Sequence, residues 1–299
     1  MLDVVIIGSG PAGITAAIYA KRANLNVAVV EKEYLGTGQI AESSRVDNYP
    51  GIPGIDGYSL GEKFREHAES LGVEFTEAQV LSLGQKDGIW IIGCDEDITL
   101  ESKAVIYATG CKNRPLGVPG EEKYYGRGLS FCAVCDGAFY KGKRVAVIGG
   151  GDTALDDAMY LSDICEKVYL VHRREFFRGS ASTLEKLKQK ENVEIIVNVR
   201  VEEITGDKKI DGIILDNKTK LNISGLFAAV GVIPQTELLK EFGVLDESNY
   251  VKASEDTKTT VNGLFAAGDV RTKQLRQVVT AAADGANAIY SVMEYLRNI

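Results

Sequence analysis

With 299 residues, 45% of them apolar and 25% charged, the chain has the composition of an ordinary folded protein long enough for two hydrophobic cores. Its formal net charge is −8 and no Lys/Arg-dense stretch exceeds a few residues, which excludes the electrostatic footprint of a nucleic-acid binder. No apolar run is long enough to cross a bilayer, and Met1-Leu2-Asp3 leads straight into Val4-Val5-Ile6-Ile7 without a basic leader. A cytoplasmic protein with no membrane partner is expected.

The first predicted elements are a strand at Val4–Ile7, a turn Gly8-Ser9-Gly10-Pro11-Ala12-Gly13, an alanine-rich helix to about Ala23 and a second strand over 26–30. This is the opening of a dinucleotide-binding βαβ unit. Gly8 permits the tight turn, Gly10 lets the backbone approach a pyrophosphate, and Gly13 allows close helix packing, with Pro11 and Ala12 inside the same turn. Glu31 stands 23 positions after Gly8, the place of an acid that hydrogen-bonds a ribose 2′-hydroxyl.

Further along, Cys132-Ala133-Val134-Cys135 forms a close pair with Asp136 on its shoulder. Two intervening residues let both thiols fall within one helical turn, where amide dipoles favour a thiolate. Alone, such a pair can also be read as half a zinc site, but no second pair or nearby histidine completes one. Cys94, Cys111 and Cys165 are scattered and read as buried structural thiols.

The βαβ pattern then returns: a strand over 144–148, the turn Gly149-Gly150-Gly151-Asp152-Thr153-Ala154, a helix through Leu161 and a strand over 167–171. Here the position 23 residues after Gly149 holds His172, followed by Arg173, Arg174 and Arg178. No acid is present to take a hydroxyl. A guanidinium cluster at that point suits a 2′-phosphate, so NADPH is expected over NADH. A cysteine pair between two nucleotide turns suggests electrons moving from nucleotide to disulfide.

The breaks at 112–115 and 118–120, then at 231–234 and 245–255, place the crossings between domains. The expected organisation is α/β: two Rossmann-like three-layer dinucleotide-binding domains, the second inserted into the first. The first would comprise 1–113 and 245–299, and the second 114–244, an insertion of roughly 130 residues and so of ordinary domain size.

Taken together, these motifs resemble the low-molecular-weight, bacterial and archaeal type of thioredoxin reductase, in the pyridine nucleotide disulfide oxidoreductase class. The resemblance covers essentially the whole chain. It includes the opening glycine turn, Gly38-Gln39, Asn48-Tyr49-Pro50-Gly51, Ala108-Thr109-Gly110, the cysteine pair with Asp136-Gly137, and His172-Arg173-Arg174 with Arg178. Late in the chain come Gly263-Leu264-Phe265-Ala266-Ala267-Gly268-Asp269 and Arg276-Gln277.

The resemblance implies FAD in the first domain, with Asp269 on the ribityl chain and Arg276-Gln277 leading a helix toward the flavin pyrimidine ring. A helix N-terminus there would stabilise charge on the reduced ring. It further implies NADPH in the second domain, Cys135 contacting flavin and Cys132 attacking a thioredoxin-like disulfide. A homodimer and a rotation of the inserted domain about crossings near Arg114 and Leu245 also follow from it. The larger relatives carry a C-terminal histidine base. Here the only histidines are His67 and His172, so the proton work falls to Asp136. Competing readings keep the fold but exchange the donor or acceptor for ferredoxin, oxygen or a peroxidase subunit, or make the chain a non-catalytic flavin or nucleotide redox sensor. A ferredoxin–NADP reductase would leave the cysteine pair without a task.

Overall fold

The computed structural model describes residues 1–32, 37–43 and 46–299. In chain order it begins β1 (Leu2–Ile7), α1 (Pro11–Arg22), β2 (Val27–Glu31), α2 (Gly57–Ser70), β3 (Glu74–Glu77), β4 (Val80–Lys86), β5 (Ile89–Cys94), β6 (Thr99–Tyr107) and β7 (Cys111–Asn113). There follow β8 (Leu129–Ser130), α3 (Ala133–Asp136), β9 (Arg144–Gly149), α4 (Asp152–Ser162), β10 (Lys167–His172), α5 (Ala181–Lys188) and β11 (Val193–Val197). The remainder is β12 (Val201–Thr205), β13 (Gly212–Leu215), β14 (Lys220–Asn222), β15 (Gly225–Ala229), β16 (Val232–Pro234), β17 (Leu264–Ala266) and α6 (Val278–Leu296).

The chain divides into two compact units, Met1–Lys112 with Ile233–Ile299, and Asn113–Val232. The return crossing therefore lies at Val232–Ile233, ahead of the Leu245 position that the sequence suggests. Packing is the reason. The short 3-10 turn Glu237–Phe242 buries Leu239 completely in the first unit's core, and Val244 joins it there.

Among the described residues the first unit builds one seven-stranded sheet, ordered β3-β2-β1-β6-β5-β4 with β17 also on β6. β1, β2, β3, β6 and β17 run parallel, while β4 and β5 form an antiparallel meander. β6 accommodates three neighbours because it is long: Thr99–Ser102 pair with β5, and Val105–Tyr107 pair with β17. At the centre of the parallel part both faces are buried, which is why β1 is apolar without a break from Val4 to Ile7. Val4 and Ile6 enter the core beneath α1 and α6, whereas Val5 and Ile7 enter the core with Trp90 and Leu239. Small residues on α1 let α6 approach closely: a Cβ on Gly285 would stand 2.2 Å from the Ala12 carbonyl oxygen.

The second unit holds a fully parallel five-stranded sheet, ordered β11-β10-β9-β15-β8. Its strands again alternate: Val145 and Val147 face Leu155, Leu161 and Leu187 of α4 and α5, while Ala146 packs with Ile213 and Leu221 of the β12-β13-β14 antiparallel sheet. Each unit is thus a Rossmann-like α/β domain, the second continuous in sequence and the first interrupted by it.

Candidate functional site

In the first unit, β1 ends in a turn whose glycines are required by space. A Cβ on Gly13 would fall 1.9 Å from the Gly8 carbonyl oxygen, and Gly8, at φ +103°, abuts the Ala108 carbonyl. Gly10 caps α1 without any side-chain hydrogen bond, Pro11 is its first residue and Ala12 is buried behind it. The backbone of Gly38 closes on that of Gly10, and Gln39 follows it in the 3-10 turn Gly38–Glu42. Glu31, at the end of β2, reaches back over the turn, where its Oε2 accepts from both the backbone N–H and the hydroxyl of Ser9 at 3.0 Å.

The later motifs of the same unit converge on this turn. Asn48 Nδ2 donates to Gln277 Oε1 at 2.8 Å, joining positions 229 residues apart. Gln277 is the N-cap of α6 in a reciprocal capping box with Thr280. Arg276 lays its guanidinium on the Tyr250 ring at 4.2 Å and donates to the Asp269 carbonyl at 3.4 Å. The Thr109 hydroxyl is committed to the Gln235 carbonyl at 2.7 Å, and Gly110 follows with positive φ.

Asp269 follows Gly268, and its Oδ1 is buried with no hydrogen-bond partner among the described residues. Burial pushes its carboxyl upward, with the charge of Asp284 adding to it and Lys273 and Arg276 opposing. A buried carboxylate oxygen without a donor, next to a backbone cradle that a Cβ would obstruct, fits FAD, whose ribityl hydroxyls and pyrophosphate need these two features.

In the second unit the three glycines of the turn differ. A Cβ on Gly149 would meet the Ala229 carbonyl oxygen, and one on Gly150 would run into the His172 ring, but one on Gly151 meets open space. His172 thus forms the floor of the turn. It is buried against Phe177 at 4.9 Å between ring centroids, and its Nε2 has no hydrogen-bond partner among the described residues. Burial holds its pKa low, aided by Arg173, Arg174 and Arg178.

Those arginines are all exposed. Their loop is pinned to the turn by the Arg178 N–H on the Gly150 carbonyl at 2.7 Å. Asp152, first in α4, accepts the Ser180 N–H at 2.7 Å, while Thr153 is exposed and Ala154 buried beneath it. An open glycine rimmed by exposed guanidiniums fits a dinucleotide carrying a 2′-phosphate.

Cys132 and Cys135 are bonded to each other, and both are half-buried. The helix that carries them has only the four residues of α3, with Cys132 as N-cap, so the expected macrodipole reduces to one local donor. That donor is the Cys135 N–H, 3.2 Å from the Cys132 sulfur. Beside it Asp136 accepts the Ser130 hydroxyl on Oδ2 at 2.7 Å, leaving Oδ1 buried and without a partner among the described residues. Burial raises the Asp136 carboxyl and the Ser130 hydrogen bond opposes that rise. The remaining thiols are buried, and burial pushes Cys111 and Cys165 up to about 11, away from reactivity.

Sequence reasoning missed Ser130 and the buried group Arg271, Lys273 and Asp284. For Asp284 there was a signal: it is a lone acid on the apolar stripe that Ala281, Gly285 and Ala288 make along α6.

The profile of the pyridine nucleotide-disulphide oxidoreductase family matches residues 2–285. A 34.2 kDa protein in the rubredoxin operon of Clostridium pasteurianum is 39% identical over 99% of this chain and 97% of its own. The thioredoxin reductase of Helicobacter pylori J99 is 40% identical with 100% of both chains covered. The crystal structure of thioredoxin reductase from Streptococcus pyogenes aligns with 100% of this chain and 99% of its own, at a TM-score of 0.94 and 39% identity. One shared nucleotide turn would match a fraction of the chain, whereas these likenesses run through both units and both crossings. The chain belongs to the pyridine nucleotide-disulphide oxidoreductase family.

Proposed function

We propose that this protein is a thioredoxin-disulfide reductase that uses NADPH and FAD, working in the cytoplasm as a homodimer on thioredoxin or a thioredoxin-like disulfide protein. The observation that carries the proposal is the bonded Cys132–Cys135 pair beside a buried carboxyl, on the same unit as a dinucleotide turn rimmed by arginines. Whole-length relatives named thioredoxin reductase support it. Among the described residues no helix is long and apolar enough to cross a membrane.

FAD, when bound, would supply the two-electron chemistry that links NADPH to the disulfide. The chain's own residues do the rest. Gly8, Gly10, Gly13 and Gly38 would leave room for the FAD pyrophosphate, Glu31 would take the adenosine ribose, Asp269 would take a ribityl hydroxyl, and Asn48 with Gln277 would hold the start of α6 for the flavin. Arg173, Arg174 and Arg178 grip the 2′-phosphate of NADPH above Gly151. Cys132, as thiolate, attacks one sulfur of the partner's disulfide and forms a mixed disulfide. Cys135 then attacks Cys132, releasing a dithiol partner and restoring the intramolecular disulfide. Asp136 delivers a proton to the departing sulfur, a task suited to a carboxyl that burial keeps protonated closer to neutrality.

The test is an anaerobic titration with NADPH, recording the visible spectrum, followed by oxidised thioredoxin in the same cuvette. Bleaching followed by recovery as thioredoxin thiols appear is the expected result. Bleaching without recovery would reject thioredoxin as acceptor, and no bleaching would reject NADPH as donor.

A further inference from the structure

We infer that Ser130 is a positioning residue for proton transfer at the cysteine pair, its hydroxyl clamping one oxygen of Asp136 while holding the backbone amide of Cys132. The inference rests on the acid role proposed for Asp136.

Ser130 is 5% exposed at the end of β8, where pairing with Phe227 of β15 fixes its backbone. Its Oγ lies 2.7 Å from Asp136 Oδ2 and accepts the Cys132 N–H at 3.1 Å. A hydroxyl has one proton to give. The Cys132 carbonyl competes for it at 3.3 Å, and the shorter, charge-assisted contact to the carboxylate takes it. Oδ2 is therefore occupied, and Oδ1 is the oxygen left to carry a transferable proton. Because the same hydroxyl holds the Cys132 amide, the carboxyl and the attacking cysteine share one anchor. Asp136 is also tied to Cys132 directly, through its N–H on the Cys132 carbonyl at 3.1 Å.

The hydrogen bond favours the ionised carboxylate and so counters burial, keeping the acid able to release its proton. Other groups near Asp136 must be separated from it. Tyr140, pushed up to about 12 by burial and the Asp136 charge, ionises far above the working range, and Lys143 lies 5.7 Å from its ring. α4, packed on α3, carries Asp156 and Asp157, and burial plus the Asp156 charge pushes Asp157 up to about 7.

The experiment compares wild type with Ser130→Ala, Ser130→Thr, Asp136→Asn and Asp157→Asn. It reads the pH profile of kcat for NADPH-driven thioredoxin reduction and, independently of turnover, the Asp136 carboxyl titration by carbon-13 NMR. Removing a donor to the charged form should move both the alkaline limb and the carboxyl midpoint of Ser130→Ala upward by about one pH unit. Ser130→Thr should restore both, and Asp157→Asn should leave the limb in place. Should Ser130→Ala not fold, Ser130→Thr and Ser130→Cys carry the same titration, with the midpoint rising as the donor weakens. An unmoved midpoint overturns the inference, as does a limb that vanishes in Asp157→Asn. If Asp136→Asn turns over at the wild-type rate, the acid reading falls and the inference with it. An impaired Asp136→Asn alongside an unshifted Ser130→Ala overturns the inference alone.

Discussion

The Gly268 backbone N–H donates to Asp284 Oδ2 across 2.9 Å, so the turn that presents Asp269 hangs from the middle of α6. The same carboxylate accepts Arg271 Nε at 2.8 Å, Arg271 Nη2 at 2.6 Å and Lys273 Nζ at 2.9 Å. All three side chains are at most 9% exposed. Asp284→Ala strands two buried cations, and breaking such a group by removing one partner costs about 3–5 kcal/mol. Urea unfolding of the FAD-free protein should register that loss, and a change below about 1 kcal/mol, the scale of an exposed pair, would contradict the clamp.

Asp269 and Asp284 should give opposite pH signatures in the FAD-free protein. Burial alone would raise Asp284, but Arg271 and Lys273 bring it below its ordinary value. Its contribution is therefore present above the unfolded carboxyl pKa of about 3.9 and is lost as pH falls through the lower folded value. Asp269 is raised, chiefly by burial, so the native state is favoured below the unfolded pKa and that advantage is lost as pH rises through the folded value. Asp269→Asn should thus stabilise the FAD-free protein at pH 7, with the difference disappearing near pH 3.5, while weakening FAD binding. Thermal melts across that pH range test the sign, and a destabilised Asp269→Asn at pH 7 would refute it.

Two glycine substitutions separate folding from nucleotide binding. Gly13→Ala places a Cβ 1.9 Å from a backbone oxygen and should yield protein that does not retain FAD. Gly151→Ala meets open space at an ordinary φ of −100°, so its melting temperature should hold. Its Cβ would project toward the bound pyrophosphate, and KM for NADPH should rise roughly tenfold. A normal KM in Gly151→Ala would move the nucleotide elsewhere.

Replacing Arg173 and Arg174 with Ala should raise KM for NADPH by roughly 10-fold to 100-fold, the scale of lost charge-assisted hydrogen bonds to a phosphate. KM for NADH should barely move. Both side chains are exposed, so stability should be unaffected, and equal effects on the two nucleotides would sink the assignment.

The sequence revealed what local rules dictate. Gly8 and Gly149 each end a strand and open a helix, and the twin 23-residue offsets to Glu31 and His172 mark the ends of β2 and β10. Contacts made across long separations were not legible. Ser130 looks like any strand-end serine until β8 lies beside β15, and the Asn48–Gln277 pair depends on the whole first unit closing. The return crossing was misplaced because Glu237–Phe242 is too short to show a helical period, although Leu239 is a core residue. His172 reads as part of a basic cluster, yet the narrow space under Gly150 draws its ring inside.

The pairing of β17 with β6 and of α6 with α1 has a consequence for synthesis on the ribosome. The inserted unit is one continuous stretch and can fold as soon as Val232 has emerged. The unit that begins first cannot close until Leu296 is made, because its central sheet lacks a strand and its buried α1 face lacks a cover. The polypeptide therefore matures from the inside outward, and a product truncated before α6 would have a competent nucleotide unit flanked by an unfolded and aggregation-prone β1–β6 segment.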